Sequence, residues 1–217
     1  MSDTTQKLAL VTGASRGLGA AMAEALAVRG YHVLAVARTV GALEELDDRI
    51  RAAGGTATLA PMDVTEAGAM QQMAEAIVER WGGLDFWAHT AVHAAPLAPA
   101  PHVDGKDWAK SLLLNAEVVR GLIALLEPAL RLRGGTAMFF DDARGGRKFF
   151  GAYGASKAAQ IALARSWQAE NASTGPKVVI AEPQPMPTAV RARFFPGEDR
   201  SVLTPCRDEA ERLLQDY

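Results

Sequence analysis

The sequence predicts an α/β fold: a doubly wound parallel sheet of about six strands with helices on both faces. Three observations carry this reading. Short apolar runs of the buried-strand kind begin near Lys7, Tyr31, Thr56, Leu84, Thr136 and Lys177. Stretches with helical spacing separate them, the pattern of strands joined by crossover helices. The first run ends in a glycine-rich turn, Thr12-Gly13-Ala14-Ser15-Arg16-Gly17-Leu18-Gly19, that opens a helix.

The elements follow in order. Residues 7–11 form the first strand, and an alanine-rich helix over 20–29 is stopped by Gly30. Residues 31–37 are a second buried strand. A helix over 43–53 closes at Gly54-Gly55, and a third strand at 56–60 leads into Met62-Asp63-Val64-Thr65. Residues 67–81 are helical. Residues 84–88 form a fourth strand ending at His89-Thr90-Ala91-Val92, and 92–105 is a loop rich in Pro and Ala. One long helical stretch over 108–133 carries Asn115 and is expected to kink or restart at Pro128. The fifth strand, 136–140, runs into Asp141-Asp142, and 151–171 is the next helix. The sixth strand, 177–181, precedes Pro183-Gln184-Pro185-Met186-Pro187-Thr188, and the tail carries a short amphipathic helix near 204–215. Ligands of such sheets sit at the carboxyl ends of the strands.

Composition bounds the rest. A chain of 217 residues, 49% hydrophobic and 22% charged, fits one domain over 1–217, with 184–217 as substrate loop and C-terminal helix. The net charge of −2 offers no basic field for nucleic acid or an anionic membrane. Cys206 is the only cysteine, so no internal disulfide forms, which fits a reducing cytoplasm. Residues 1–6 are polar and the following apolar run breaks at Thr12-Gly13, so no signal peptide is expected. No apolar stretch is long enough to span a bilayer.

The glycine turn is suited to phosphate. Glycines let backbone approach a ligand closely, and a helix N-terminus offers free N–H groups and a positive dipole. The spacing is T-G-x-x-x-G-x-G, not the commoner G-x-G-x-x-G of dinucleotide folds. At the end of the second strand an acidic residue would bond a ribose 2′-hydroxyl, whereas an arginine accommodates a 2′-phosphate. Arg38 stands there, with Arg16 in the turn and no Asp or Glu near. The cofactor expected is therefore NADP(H), ahead of NAD(H).

Tyr153 and Lys157 lie four residues apart, one helical turn along the same face. A phenol ionises near pH ~10, and a nearby ammonium lowers that value. Such a tyrosine passes a proton to or from a carbonyl or alcohol oxygen near neutral pH.

Together these motifs resemble the classical short-chain dehydrogenase/reductase family over about residues 7–190, in a shortened and divergent form. The resemblance implies a three-layer α/β/α Rossmann fold. Residues Gly13, Ser15, Arg16, Gly17, Leu18 and Gly19 look like the family's cofactor loop, and Asp63 and Val64 like its adenine-contacting pair. Tyr153 and Lys157 look like the catalytic pair that also meets the cofactor, and Asn115 like the asparagine that supports a bound water. Pro183 and Thr188 match the family's P-G-x-x-x-T segment, with Gln184 for glycine and Met186 inside it. His89, Thr90 and Ala91 stand where the family has N-N-A-G, and are expected to line the cofactor. The chain lacks the family's last strand, so a homodimer paired through long helices is implied rather than a tetramer.

One departure bears on chemistry. The family's substrate-binding serine is replaced by Asp142, the best aligned of the two aspartates. An ionised carboxylate cannot donate to a substrate oxygen. At ~5 Å from the phenol it would oppose Lys157 by about two pKa units. Either the acid is protonated and donates, or it turns outward and Thr90 or a water serves.

Other residues are weaker candidates. His32, His89, His93 and His102 have no metal-ligand spacing, and no metal is expected. Phe149, Phe150, Met186, Phe194 and Phe195 are candidates for an apolar substrate pocket. Arg144, Arg147, Lys148, Arg191 and Arg193 would greet an anionic tail or form a solvated face. Gly154 permits close helix packing. The function expected is an NADP(H)-dependent oxidoreductase of a small carbonyl or secondary alcohol, by hydride transfer with Tyr153 as proton carrier. The alternative is a catalytically impaired NADP(H)-binding protein that senses cofactor or binds a partner.

Overall fold

A computed structural model describes residues 6–217; the polar stretch 1–5 lies outside the described residues. Six strands form one parallel sheet: β1 (Leu8–Thr12), β2 (His32–Ala37), β3 (Thr56–Pro61), β4 (Phe86–His89), β5 (Thr136–Phe140) and β6 (Lys177–Ala181). Their spatial order is β3-β2-β1-β4-β5-β6. The order reverses between β1 and β4, where Thr12 pairs with His89 in register. The two strands therefore end level with one another, and a cleft opens beyond them.

Side chains alternate across the strands and divide the core in two. Leu8, Leu10, Leu34, Val36, Trp87 and Phe139 point to one face. There they meet α3 (Ala67–Trp81), α5 (Val118–Arg133) and α6 (Gly151–Glu170). Ala9, Val11, Val33, Ala35, Phe86 and Met138 point to the other, under α1 (Gly17–Val28) and α2 (Val40–Ala52). The C-terminal α8 (Cys206–Leu213) lies against α1, and Ala210 within it and Leu214 just after it enter this second cluster.

The alanines of α1 explain why it seats so closely: Ala20, Ala21, Ala23, Ala25 and Ala27 are all buried. The long helical stretch breaks elsewhere than expected. α4 (Gly105–Leu112) passes into a π-helical turn, Leu113–Glu117, before α5 begins. Pro128 lies inside α5, so the interruption falls at Asn115 and not at the proline. Wide π turns of this kind mark functional positions. Residues 184–217 also hold the short α7 (Ala189–Phe194), a turn of helix inside the expected substrate loop. No helix among the described residues is long and apolar enough to cross a membrane.

Candidate active site

The cleft beyond β1 and β4 has a cavity of about 330 Å³. Every residue expected at the cofactor lines it: the loop Gly13, Ser15–Gly19; then Arg38, Asp63, Val64, His89, Thr90, Ala91, Tyr153, Lys157, Pro183, Met186 and Thr188. Asp142 lines it as well, whereas Asn115 is fully buried behind.

The glycine loop has no room for side chains. Gly13 takes φ +89°, and a Cβ there would sit 2.6 Å from the Ala91 nitrogen. A Cβ on Gly19 would overlap the Gly13 carbonyl and the Thr90 hydroxyl. Arg16 caps α1 without a side-chain bond, so the first N–H groups of that helix face the cleft. A backbone cradle and an open helix N-terminus fit a pyrophosphate. At the adenosine end Arg38 is exposed and reaches Asp63 at 3.6 Å. Burial would raise the Asp63 carboxyl, but bonds from Thr65 and the Arg38 charge outweigh it and hold the pKa low. These residues fit an NADP(H) molecule, with Arg38 held loosely enough to turn to a phosphate.

At the other end, Tyr153 and Lys157 project from one face of α6. The Tyr153 hydroxyl donates to Asp142 Oδ2 at 3.0 Å. Arg144 Nε donates to Asp142 Oδ1 at 2.9 Å. Lys157 Nζ donates to the Phe140 carbonyl at 2.7 Å and to Gln160 Oε1. Gln160 Nε2 in turn donates to the Asn115 carbonyl at 3.0 Å. The Asn115 side chain donates to Ser156 Oγ and the His93 carbonyl and accepts from the His93 N–H. The polar groups of Asn115 that resemblance assigns to a water thus bond to protein.

The sequence profile of the family described as short chain dehydrogenase matches residues 7–199. The chain belongs to the short-chain dehydrogenase family. It is 34% identical over 168 residues to a fatty acyl-CoA reductase of Acinetobacter baylyi, covering 76% of this chain and 57% of that one. It is 32% identical over 181 residues to a glycine betaine reductase of Emericella nidulans, covering 82% of this chain and 14% of that one. The chain spans less than two thirds of the length of these curated relatives. Among solved structures, a short chain dehydrogenase of Shigella flexneri complexed with NADP superposes with a TM-score of 0.85 at 26% identity. That match covers 96% of this chain and 88% of that one.

In this short-chain dehydrogenase the aspartate at the serine position does not turn outward. Asp142 is inside the site and ion-paired to Arg144, with its side chain 34% exposed. The electrostatics of Tyr153 also differ from expectation. Burial first, then the Asp142 charge and hydrogen bond, push the phenol pKa well above its ordinary value. Lys157 does not bond the phenol; burial lowers the ammonium itself to about 8, against the raising influence of Asp141 and Asp142. The neutral phenol is thereby the stable form. Asp141 turns away to Arg165 at 3.6 Å.

His89 is a packing residue: it is buried, bonded to Thr12 Oγ1 at 2.8 Å, and set edge-on to Trp87. Burial, with Lys157, lowers its pKa to about 3, so it stays neutral. Phe150 and Phe194 close around the Tyr153 ring, with Phe195 beside them. Phe149 instead points outward at φ +71°. Arg191 pairs with Glu198 and Arg193 donates to the Ala94 carbonyl, so neither greets an anionic tail. A Cβ on Gly154 would sit 2.5 Å from the Arg144 carbonyl oxygen, so the glycine is what lets the Asp142 loop seat on α6. Among the described residues no His, Cys, Asp or Glu group gathers as a metal site.

Sequence reasoning missed Gln160 and the pairing of Arg144. Gln160 stands three residues after Lys157, on the same helical face, which was the available signal. The buried Glu209 of α8 was missed too. It accepts from the Gln184 N–H at 2.8 Å and fixes the segment that replaces the family's glycine.

Proposed function

We propose that the chain is an NADP(H)-dependent oxidoreductase that interconverts a carbonyl compound and a secondary alcohol. The observation that carries this reading is one cleft lined by the glycine cradle, Arg38, Tyr153 and Lys157. The cofactor supplies or accepts the hydride. Tyr153, held neutral by burial, gives its proton to the developing alkoxide. Two of the three ammonium donors of Lys157 are used within the protein, which leaves one to bind the nicotinamide ribose. The Phe150–Phe194 cluster gives the substrate an apolar wall. The reductase names of the relatives and the NADP of the solved neighbour agree with this choice. A homodimer, paired through the stretch that exposes Trp108 and Leu113, belongs to the same reading, and sedimentation at equilibrium checks it.

The test is a panel of ketones, aldehydes and secondary alcohols followed by NADPH absorbance, with Tyr153→Phe as control. Turnover that vanishes in the control supports the reading. Binding of NADPH without turnover of any member overturns it.

A second reading, a catalytically impaired NADP(H)-binding protein with a sensing or partner-binding role, has one observation in its favour. The Tyr153 proton is spent on Asp142. Asp142→Ser separates the two: a large gain in turnover supports decay, and a loss shows the carboxylate to be part of a working site.

A further inference from the structure

We infer that Arg144 selects the substrate: the carbonyl compound bears a carboxylate, held by the terminal nitrogens of Arg144 while the carbonyl meets Tyr153. The inference rests on the oxidoreductase reading above and names its substrate class, an aliphatic oxo acid and the matching hydroxy acid.

Lys157, Arg191 and Arg144 are the cations lining the Tyr153 end of the cleft. Lys157 is bonded to the Phe140 carbonyl and Gln160, and its remaining donor is assigned to the ribose. Glu198 grips Arg191 at both Nε and Nη2, at 2.6 and 2.5 Å. Arg144 is held differently. A guanidinium carries five N–H donors in a rigid fork. Asp142 takes only the one on Nε, and its other oxygen accepts from the Tyr153 hydroxyl. The donors on Nη1 and Nη2 have no partner among the described residues.

The guanidinium is nevertheless fixed in place. Its carbon lies 5.4 Å from the centres of both the Phe150 and Phe195 rings, where a cation is attracted to the aromatic faces. The side chain is 28% exposed. A cation so oriented, with both terminal nitrogens unpaired, is preorganised to bond a carboxylate. The neighbouring carboxylates do not forbid one. Asp141, Asp142 and Glu198 are each ion-paired, to Arg165, Arg144 and Arg191. Lys157, bonded to neutral groups, adds a positive charge.

Spacing sets the rest of the substrate. Arg144 and Tyr153 both bond the one carboxylate of Asp142, so they stand two hydrogen bonds apart. The Phe194 ring lies 4.8 Å from the Tyr153 ring and 4.9 Å from that of Phe150, which in turn lies under Arg144. The pattern is polar, apolar, polar: a carbonyl at Tyr153, a short aliphatic stretch along Phe194 and Phe150, and a carboxylate at Arg144. In reduction the carbonyl carbon takes the hydride of NADPH and the oxygen takes the Tyr153 proton. The products are the hydroxy acid and NADP+, and the phenol regains its proton from water.

The test compares aliphatic oxo acids of rising chain length with their carboxamides, by NADPH absorbance, in the wild type and in Arg144→Met. The carboxamide keeps the size and removes the charge. The wild type is expected to favour the acid in kcat/KM by about tenfold or more, and Arg144→Met to abolish the preference. The ratio is the readout because loss of Arg144 also frees Asp142, which shifts turnover of acid and amide alike. Arg144→Lys stands in where the methionine variant does not fold. It is expected to shrink the preference, since an ammonium lacks the fork to hold Asp142 and a second carboxylate together. Turnover without preference for the acid, or a preference undiminished in these variants, overturns the inference and leaves the oxidoreductase reading in place. If nothing turns over, hexanoate is titrated calorimetrically into the NADPH complex. Binding that is lost with Arg144 keeps the carboxylate site and refutes the oxidoreductase reading, whereas no binding refutes both.

Discussion

The two ends of the cleft are built by different means. The cofactor end is made of backbone: Gly13, Gly17 and Gly19, the open N-terminus of α1, and the level ends of β1 and β4. Its tolerance is set by sterics, since a Cβ at Gly13 or Gly19 would enter the strand-four turn or the loop itself. The end proposed for catalysis is made of polar and charged side chains in two bonded sets, Arg144–Asp142–Tyr153 and Lys157–Gln160. Its behaviour is set by which partner holds which proton. The glycine loop keeps the family's spacing, whereas Asp142 replaces the family's serine beside Tyr153. A backbone cradle has one solution for a given phosphate, whereas a network of protons has several.

Four changes sharpen or break this contrast, from the largest effect to the smallest. Tyr153→Phe removes the proton without opening a cavity. Turnover is expected to fall by about a hundredfold or more, with NADPH affinity unchanged. Residual turnover near that of the wild type would mean that another group donates.

Gly19→Val strikes the backbone end. The added side chain meets the Gly13 carbonyl and Thr90 hydroxyl, so NADPH affinity is expected to fall about a hundredfold or more, a loss of about 3 kcal/mol. Calorimetric titration reads it. Undiminished affinity would show that the loop is not the phosphate cradle.

A pH series on stability probes the catalytic end. Lys157 has a folded-state pKa of about 8, below its ordinary value of ~10.4. Below about pH 8 it is protonated folded and unfolded, and the folded state bears the whole cost of the buried charge. Between about pH 8 and 10.4 the folded protein releases that proton first, so the cost fades and stability rises. Relative to Lys157→Met, the wild type should gain about 2 kcal/mol between about pH 7 and 10 by urea unfolding. Tyr153, raised by burial and Asp142, works the other way only above its ordinary range near pH ~10. A difference constant with pH would mean that the ammonium is solvated.

The smallest effect concerns cofactor choice. A charge-assisted hydrogen bond from Arg38 to a 2′-phosphate contributes roughly 1.5–3 kcal/mol, offset by loss of its pairing with Asp63. NADPH is expected to bind about tenfold more tightly than NADH, less so at high salt because Arg38 is exposed. Arg38→Asp should reverse the order. Equal affinities in fluorescence titrations would show that the arginine faces solvent with cofactor bound.

Much of the molecule was legible in the sequence because the deciding interactions are local. Strand periodicity, the glycine turn and the helical spacing of Tyr153 and Lys157 are each written within a few residues, and each sits where that pattern requires. Which neighbours those residues bond was not legible, because the loop path and packing decide which groups meet. Asp142 bonds Tyr153 across a loop seated on Gly154. Gln160 reaches back to Asn115 through the π turn that breaks the long helical stretch. The sequence by itself determined the sheet, the cradle and the residues brought to the cleft. Only the tertiary structure decided that the aspartate faces inward, that the phenol is kept neutral, and that an amide secures the lysine. Burial and proximity set those outcomes, and both are properties of packing rather than of spacing along the chain.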